Sequence, residues 1–268
     1  MKKILGLFLA LTVFLTACSS VPEVTAFPSQ TSEPVVITPV ESAFAPGDPT
    51  AAPLENILAE HAVSFETADG ATINGELYGE GSTAVIFSVM GNCDPGWREF
   101  AQLTAAQGLM TLTYQWRGCR PSGSVDEVEI QSFVDDLRGA IAFMRAQGAQ
   151  KIILVGASLG GCASAKVTVE SQADGLVVVA SPAEISDWGF AVEAADVDSD
   201  IPKLFITAKE DDVVPVESTQ ELFNLAAEPK EWQTYPGTAH GTDLFETQHK
   251  EEFQQRILEF ILRVASTQ

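Results

Sequence analysis

Basic residues are scarce in this chain: 15 Lys and Arg stand against 37 Asp and Glu, a formal net charge of −22 over 268 residues. A surface this acidic repels phosphate backbones, which excludes nucleic acid as a partner and disfavours docking of the folded face on anionic lipid. Histidine is scarcer still, with three in all. They form no H-E-x-x-H pair, and the set His240, Asp243 and His249 lacks a third strong ligand nearby, so no metal is expected. Long hydrophobic runs are missing as well, since the N-terminal apolar stretch Ile4 to Val13 is too short to span a bilayer. No internal repeat is visible. What is present is a 46% hydrophobic composition, enough for the core of one sizeable domain.

The N-terminus reads as a targeting segment. Lys2 and Lys3 precede the apolar stretch, which ends in Leu15-Thr16-Ala17-Cys18. That tetrapeptide resembles the lipobox of bacterial lipoproteins. The resemblance implies a signal peptide over 1–17, cleavage before Cys18 and lipidation of its thiol, hence a chain anchored to the membrane of a bacterial cell envelope, outside the cytoplasm. The competing reading is an ordinary secretory signal with a coincidental cysteine. From Cys18 to Pro53 the sequence is rich in Pro, Ser, Thr and Ala without apolar periodicity. Such a stretch buries too little surface to offset its ordering entropy, so it is expected to be a disordered tether. The folded domain is expected over 54–268.

From there strand and helix patterns alternate. Runs suited to strands occur at 62–66, 71–78, 83–89, 110–116, 151–156, 175–180, 203–207 and 231–235, and helical patterns fill 97–106, 129–147, 159–172, 216–226 and 243–264. Two early strands followed by repeated β-α units predict an α/β fold with a mostly parallel eight-stranded sheet and helices on both faces. The segment Ser181 to Pro202 is too short to build a large cap domain.

The stretch Gly156-Ala157-Ser158-Leu159-Gly160 follows the apolar run Lys151 to Val155 and opens a helix. A strand, a sharp turn and a helix is the setting in which G-x-S-x-G presents a serine nucleophile, with glycines two residues away clearing space for the turn. Serine needs an adjacent base, itself oriented by an acid. His61 lies at the far end of the domain, and His249 falls inside the last helical pattern, facing solvent. His240, in the loop Pro236 to Thr242 after the last strand, lies at the carboxyl edge where Ser158 is expected. Of the acids after strand 203–207, Asp211 is preferred, because it precedes Val214-Pro215 at a D-x-x-V-P spacing that resembles the one found in many α/β hydrolases. Asp212 is the fallback, and Glu210 is read as part of a solvated rim.

In this order, Ser158, Asp211 and His240 resemble the α/β-hydrolase superfamily, in particular its dienelactone-hydrolase-like and acyl-esterase-like members. Tyr114 to Gly123 (YQWRGCRPSG) is similar to the family's D-x-R-G-x-G-x-S segment, and Ala239-His240-Gly241-Thr242 to its terminal A-H-G motif. The resemblance covers essentially all of 54–268. It implies a catalytic triad of Ser158, Asp211 and His240, with an oxyanion hole from the backbone N–H groups of Leu159 and Met90, Gly91 being the alternative to Met90. It further implies a carboxylesterase that needs no cofactor and acts on a small-molecule ester as a monomer. Departures are the absence of histidine in Ser88 to Asn92, Ala208 for a glycine, Gln115 for an aspartate, and serine rather than cysteine at the elbow, which sets the dienelactone substrate aside. A catalytically silent binding lipoprotein and a short-peptide peptidase are the competing functions.

Beyond Cys18 there remain three cysteines. Cys162 reads as a buried packing group. Cys93 and Cys119 each follow neighbouring strands at one edge, where they pair in an oxidising compartment or stay as two free thiols. Trp188 and Phe190 either line the acyl pocket or simply pack their loop on the sheet, with Asn92, Pro95 and Trp97 offering the opposite wall.

Overall fold

The strands whose residues are mostly apolar are the ones sealed on both sides. Strands β3 (Thr83–Ser88), β5 (Lys151–Ala157), β6 (Gly175–Val179) and β9 (Lys203–Ala208) are buried along almost their whole length. Continuous burial of this kind requires cover on each face of the sheet. A computed structural model of the chain describes residues 61–123 and 132–267, all within the unit Pro49–Gln268. Cys18, the tether and the first residues of the 129–147 helical pattern lie outside the described residues.

The remaining strands of the main sheet are β1 (His61–Glu66), β2 (Thr72–Tyr78), β4 (Met110–Gln115) and β10 (Lys230–Tyr235), giving the order β1-β2-β4-β3-β5-β6-β9-β10. The two joins of β2, to β1 and to β4, are antiparallel, and every other pairing in this sheet is parallel. From β3 the chain goes outward to β4, then crosses back to the other side of β3 to form β5. The carboxyl ends of β3 and β5 are therefore the switch point, where loops diverge and open a crevice.

Helices α1 (Arg98–Ala105) and α5 (Lys250–Ser266) cover one face, joined by rings of Phe87, Trp97, Phe100, Phe245 and Phe253. Side chains alternate across a strand, so Tyr114 is on the opposite face. There it meets Phe65, which stacks on Phe143 of α2 (Phe133–Ala146). Helix α3 (Leu159–Val167) packs beside α2, and α4 (Val216–Leu225) lies against β9. Helix α5 shows the sequence logic plainly. Phe253, Ile257, Phe260, Ile261 and Val264 recur at helical spacing and are buried, with Glu251 and Glu252 in the first turn and Arg263 in the last, as the helix dipole favours.

Three expectations need correction. The pattern read as one helix over 243–264 is a 3₁₀ segment, Gly241–Glu246, followed by a break and then α5. Helix α3 ends at Val167 rather than Gln172. The segment 181–202 contains a small hairpin, β7 (Glu184–Ile185) with β8 (Phe190–Ala191), where no strands were foreseen. Among the described residues no helix is long and apolar enough to cross a membrane.

Candidate active site

Ser158 sits between β5 and α3 with φ 50° and ψ −120°, in the left-handed region that L residues avoid. Its N–H donates to Val179 O of β6 at 2.8 Å, which fixes the turn to the neighbouring strand. The turn is so tight that a Cβ on Gly156 would run into the backbone of Gly160 and Gly161, and one on Gly160 into the carbonyl of Ser88. Both walls are backbone and cannot swing aside. Gly160→Ala is therefore expected to destabilise the domain by about 1–3 kcal/mol through overpacking, read as a fall in the urea midpoint at unchanged m-value.

His240 is 9% exposed and caps the Gly241–Glu246 segment. Its Nδ1 lies 2.9 Å from Asp211 Oδ2 and 3.2 Å from Oδ1. The Asp211 side chain is fully buried, and its Oδ1 also accepts the N–H groups of Val213 and Val214, each at 2.9 Å. The D-x-x-V stretch thus wraps its own carboxylate and aims it at the imidazole. Asp212 is exposed. Glu210, read from sequence as rim, does more: its Oε2 accepts Gly237 N–H at 2.7 Å while its own N–H donates to Gly237 O at 3.1 Å. That exchange ties the loop bearing Asp211 to the loop bearing His240. The other histidines are elsewhere. His61 begins β1, paired with Leu77, at the amino edge of the sheet. His249 is not inside a helix facing solvent but at the N-cap of α5, half-buried, its ring 5.5 Å from that of Tyr235. Among the described residues no group of three or more His, Cys, Asp or Glu is disposed to hold a metal ion.

Gly241 brings the His240 loop to the elbow. At φ +56° it lies where a Cβ would meet Met90 Sδ and stand 3.3 Å from Ala157 Cβ, the residue before Ser158. Thr242 donates its hydroxyl to Met90 Sδ at 3.6 Å. Met90, 2% exposed, thereby supports the histidine loop from below. Its own backbone starts a turn closed by Cys93 N–H to Met90 O at 3.1 Å, and the next residue lies on Leu159: a Cβ at Gly91 would be 3.5 Å from Leu159 Cδ2. Leu159 is the first residue of α3, so its N–H has no carbonyl one turn back, and the helix dipole adds positive potential there. Gly91, next to Met90, and Leu159, the residues from which donors are expected, are thus neighbours beside the elbow.

Cys93 and Cys119 are disulfide-bonded, with Cα atoms 5.6 Å apart. Cys162 is free and buried, and burial pushes its thiol up to about 12. Desolvation also raises the carboxyl of Asp243, helped by neighbouring Asp94 and Asp211 and opposed by His240.

The tentative pocket residues fare unevenly. A recess of about 10 Å³ lies between the elbow and the end of β3, lined by Val89, Tyr114, Trp116, Phe133, Leu159 and Ala163 with Gly160. Phe190 backs it through Phe133, their ring centroids 5.1 Å apart, whereas Trp188 is half-buried on the hairpin and lines no part of it. Trp97 is fully buried and donates its indole N–H to Ser88 O at 3.0 Å, bracing β3. A larger cleft of about 210 Å³ is bordered by Asn74, Glu76, Pro95, Arg98 and Gln115; Ser158, Asp211 and His240 line neither it nor the recess. Phe133 and Trp116 escaped the sequence reading because apolar residues near a helix start or strand end carry no mark of facing a site.

No family model matches the chain. It is 29% identical over 157 residues to the uncharacterized protein YfhR of Escherichia coli K12, a match over 50% of this chain and 55% of that protein. The chain thus spans about half the length of the curated relatives it matches. Among solved structures, the Pyrococcus furiosus esterase Pf2001 superposes with a TM-score of 0.65 at 15% identity, over 79% of this chain and 95% of that one. The esterase domain of a Rhodothermus marinus protein gives 0.61 at 18%, over 76% and 98%. The alpha/beta hydrolase GrgF of a Penicillium species gives 0.64 at 18%, over 78% and 100%. Strand order, the left-handed serine between β5 and α3, and these superpositions agree: this chain has the α/β-hydrolase fold.

Proposed function

We propose that the protein is a serine hydrolase of carboxylic esters, tethered outside the cytoplasmic membrane through lipid on Cys18. The reading is carried by one observation: the buried Asp211 carboxylate holds Nδ1 of His240 in a loop packed against the residue that precedes Ser158. In the reaction, Ser158 Oγ attacks the ester carbonyl while His240 Nε2 takes its proton. Backbone N–H groups at Leu159 and Met90 or Gly91 receive the oxyanion. The proton passes to the departing alcohol, leaving an acyl-serine. Water, deprotonated by the same imidazole, then releases the carboxylic acid and restores Ser158. Asp211 keeps Nδ1 protonated and stabilises the imidazolium.

Similarity to esterases of other organisms supports this reading over a silent binding protein or a peptidase. The test is direct. A fluorophosphonate should modify Ser158, and p-nitrophenyl esters should be hydrolysed. No labelling would favour the binding protein, and labelling with turnover of short peptides but not esters would favour the peptidase.

The recess behind Leu159 has room for about one water-sized group. With the acyl group assigned to this recess, which adjoins the elbow through Leu159 and Gly160, the expected substrate carries a small acyl chain, with kcat/KM for p-nitrophenyl acetate exceeding that for the octanoate by roughly tenfold or more. An optimum at eight carbons would place the acyl group elsewhere.

A further inference from the structure

The Cys93–Cys119 bridge is one link in a strap that runs from helix α2 to the turn offering the oxyanion donors. At its fixed end, Asp136 in the first turn of α2 has a fully buried side chain. Its Oδ2 accepts the backbone N–H of Arg117 at 2.6 Å, and its Oδ1 accepts Nε–H at 2.8 Å. Burial raises the Asp136 carboxyl and the Arg117 donors oppose that rise, each donor meeting a separate oxygen. The rest of the guanidinium is spread across Asp69, at 2.5 and 2.9 Å. Residue 117 is therefore held by main chain and side chain together. Two residues on, Cys119 is 1% exposed and its N–H donates to Trp116 O at 2.8 Å.

The far end of the bridge is different. Gly91 and Asn92 are exposed, and the Met90–Cys93 turn is closed by the single backbone bond already described. Cys93 stands at φ +64°, in the left-handed region, with a side chain that opposes it. Such a conformation persists only where the surroundings impose it. Here the surroundings are the Met90–Cys93 turn and the covalent link to a firmly held partner.

We propose that this bridge switches the enzyme on: the turn keeps the Met90 or Gly91 N–H in place for the oxyanion only while Cys93 and Cys119 are joined. The proposal rests on the ester-hydrolase reading. Before oxidation the chain is a weak esterase, and it becomes competent in an oxidising compartment. Closing the bridge removes two protons and two electrons from the two thiols. A disulfide oxidant takes both, becoming a dithiol by exchange, and a dithiol reductant reverses the step.

The experiment titrates the oxidised full chain with a dithiol reductant under native conditions. New thiols are counted by alkylation, alongside p-nitrophenyl acetate kinetics and far-UV circular dichroism. As two thiols appear, kcat should fall roughly tenfold or more, as expected for losing much of one oxyanion donor. KM should stay within about twofold, the circular dichroism should hold, and reoxidation should restore the rate. The double variant Cys93→Ser, Cys119→Ser should show the same low kcat and ignore the reductant. An unchanged kcat with both thiols exposed, a fall that tracks loss of structure, or a rise in KM at constant kcat would each overturn the switch. An oxidised chain inert to all esters and to fluorophosphonate would instead defeat the hydrolase reading beneath it.

Discussion

Ser158→Ala should lower kcat on p-nitrophenyl acetate by roughly 10³-fold or more and abolish fluorophosphonate labelling, while the domain stays folded. The size of the loss follows from chemistry: no other hydroxyl stands at the end of β5, and the imidazole then has no nucleophile to deprotonate. That stability survives follows from the local structure, because the Ser158 side chain makes no capping bond to α3. A second substitution separates the two roles of this position. Ser158→Gly also removes the hydroxyl, but glycine accepts φ 50° without a Cβ penalty. It should therefore be equally inactive yet more stable than wild type by about 1 kcal/mol, measured by urea denaturation. Serine is retained at a backbone geometry that disfavours it, and the gain on removing it reads out the strain stored at the elbow. Substantial turnover in either variant would remove Ser158 from the mechanism.

Much of this architecture was legible in the sequence because the signals are local and strong. All eight strands of the main sheet were marked by short apolar or alternating runs, which central strands such as β3 and β6 need when both faces are covered. Asp211 was preferred through the resemblance of its D-x-x-V-P spacing to that of α/β hydrolases, and the structure gives that spacing a local role, the carboxylate binding the N–H groups two and three residues ahead. Other features are properties of distance rather than of neighbours. The sequence does not separate the 3₁₀ segment at Gly241–Glu246 from α5, since no Gly or Pro stands between Glu246 and Lys250 to mark the break. A two-residue hairpin such as β7–β8 is shorter than any period. Glu210 looked like solvated surface because its partner, Gly237, is 27 residues away. Asp69 and Asp136 offered no signal, for their common partner Arg117 is brought to them by the sheet.

Asp211→Asn should cost nearly as much as loss of the nucleophile, about 10³–10⁴-fold in kcat, with little change in fold. The reason lies in which atoms need an acceptor. Oδ1 receives two backbone N–H groups from Val213 and Val214, so an asparagine will keep its carbonyl oxygen there and turn its NH₂ toward His240. That amide can only donate. It meets Nδ1 as a lone pair, fixes the proton on Nε2 and leaves the imidazole unable to accept from Ser158. The loss is one of tautomer as well as of charge, so phosphonylation by the fluorophosphonate should slow in proportion to ester turnover. Asp212→Asn is the control. Its side chain is exposed and bonds neither His240 nor its loop, so kcat/KM should stay within about twofold of wild type, as surface substitutions away from special contacts do. Should Asp212→Asn prove the more damaging of the two, the acid has been misassigned and the clamp on Nδ1 is structural only.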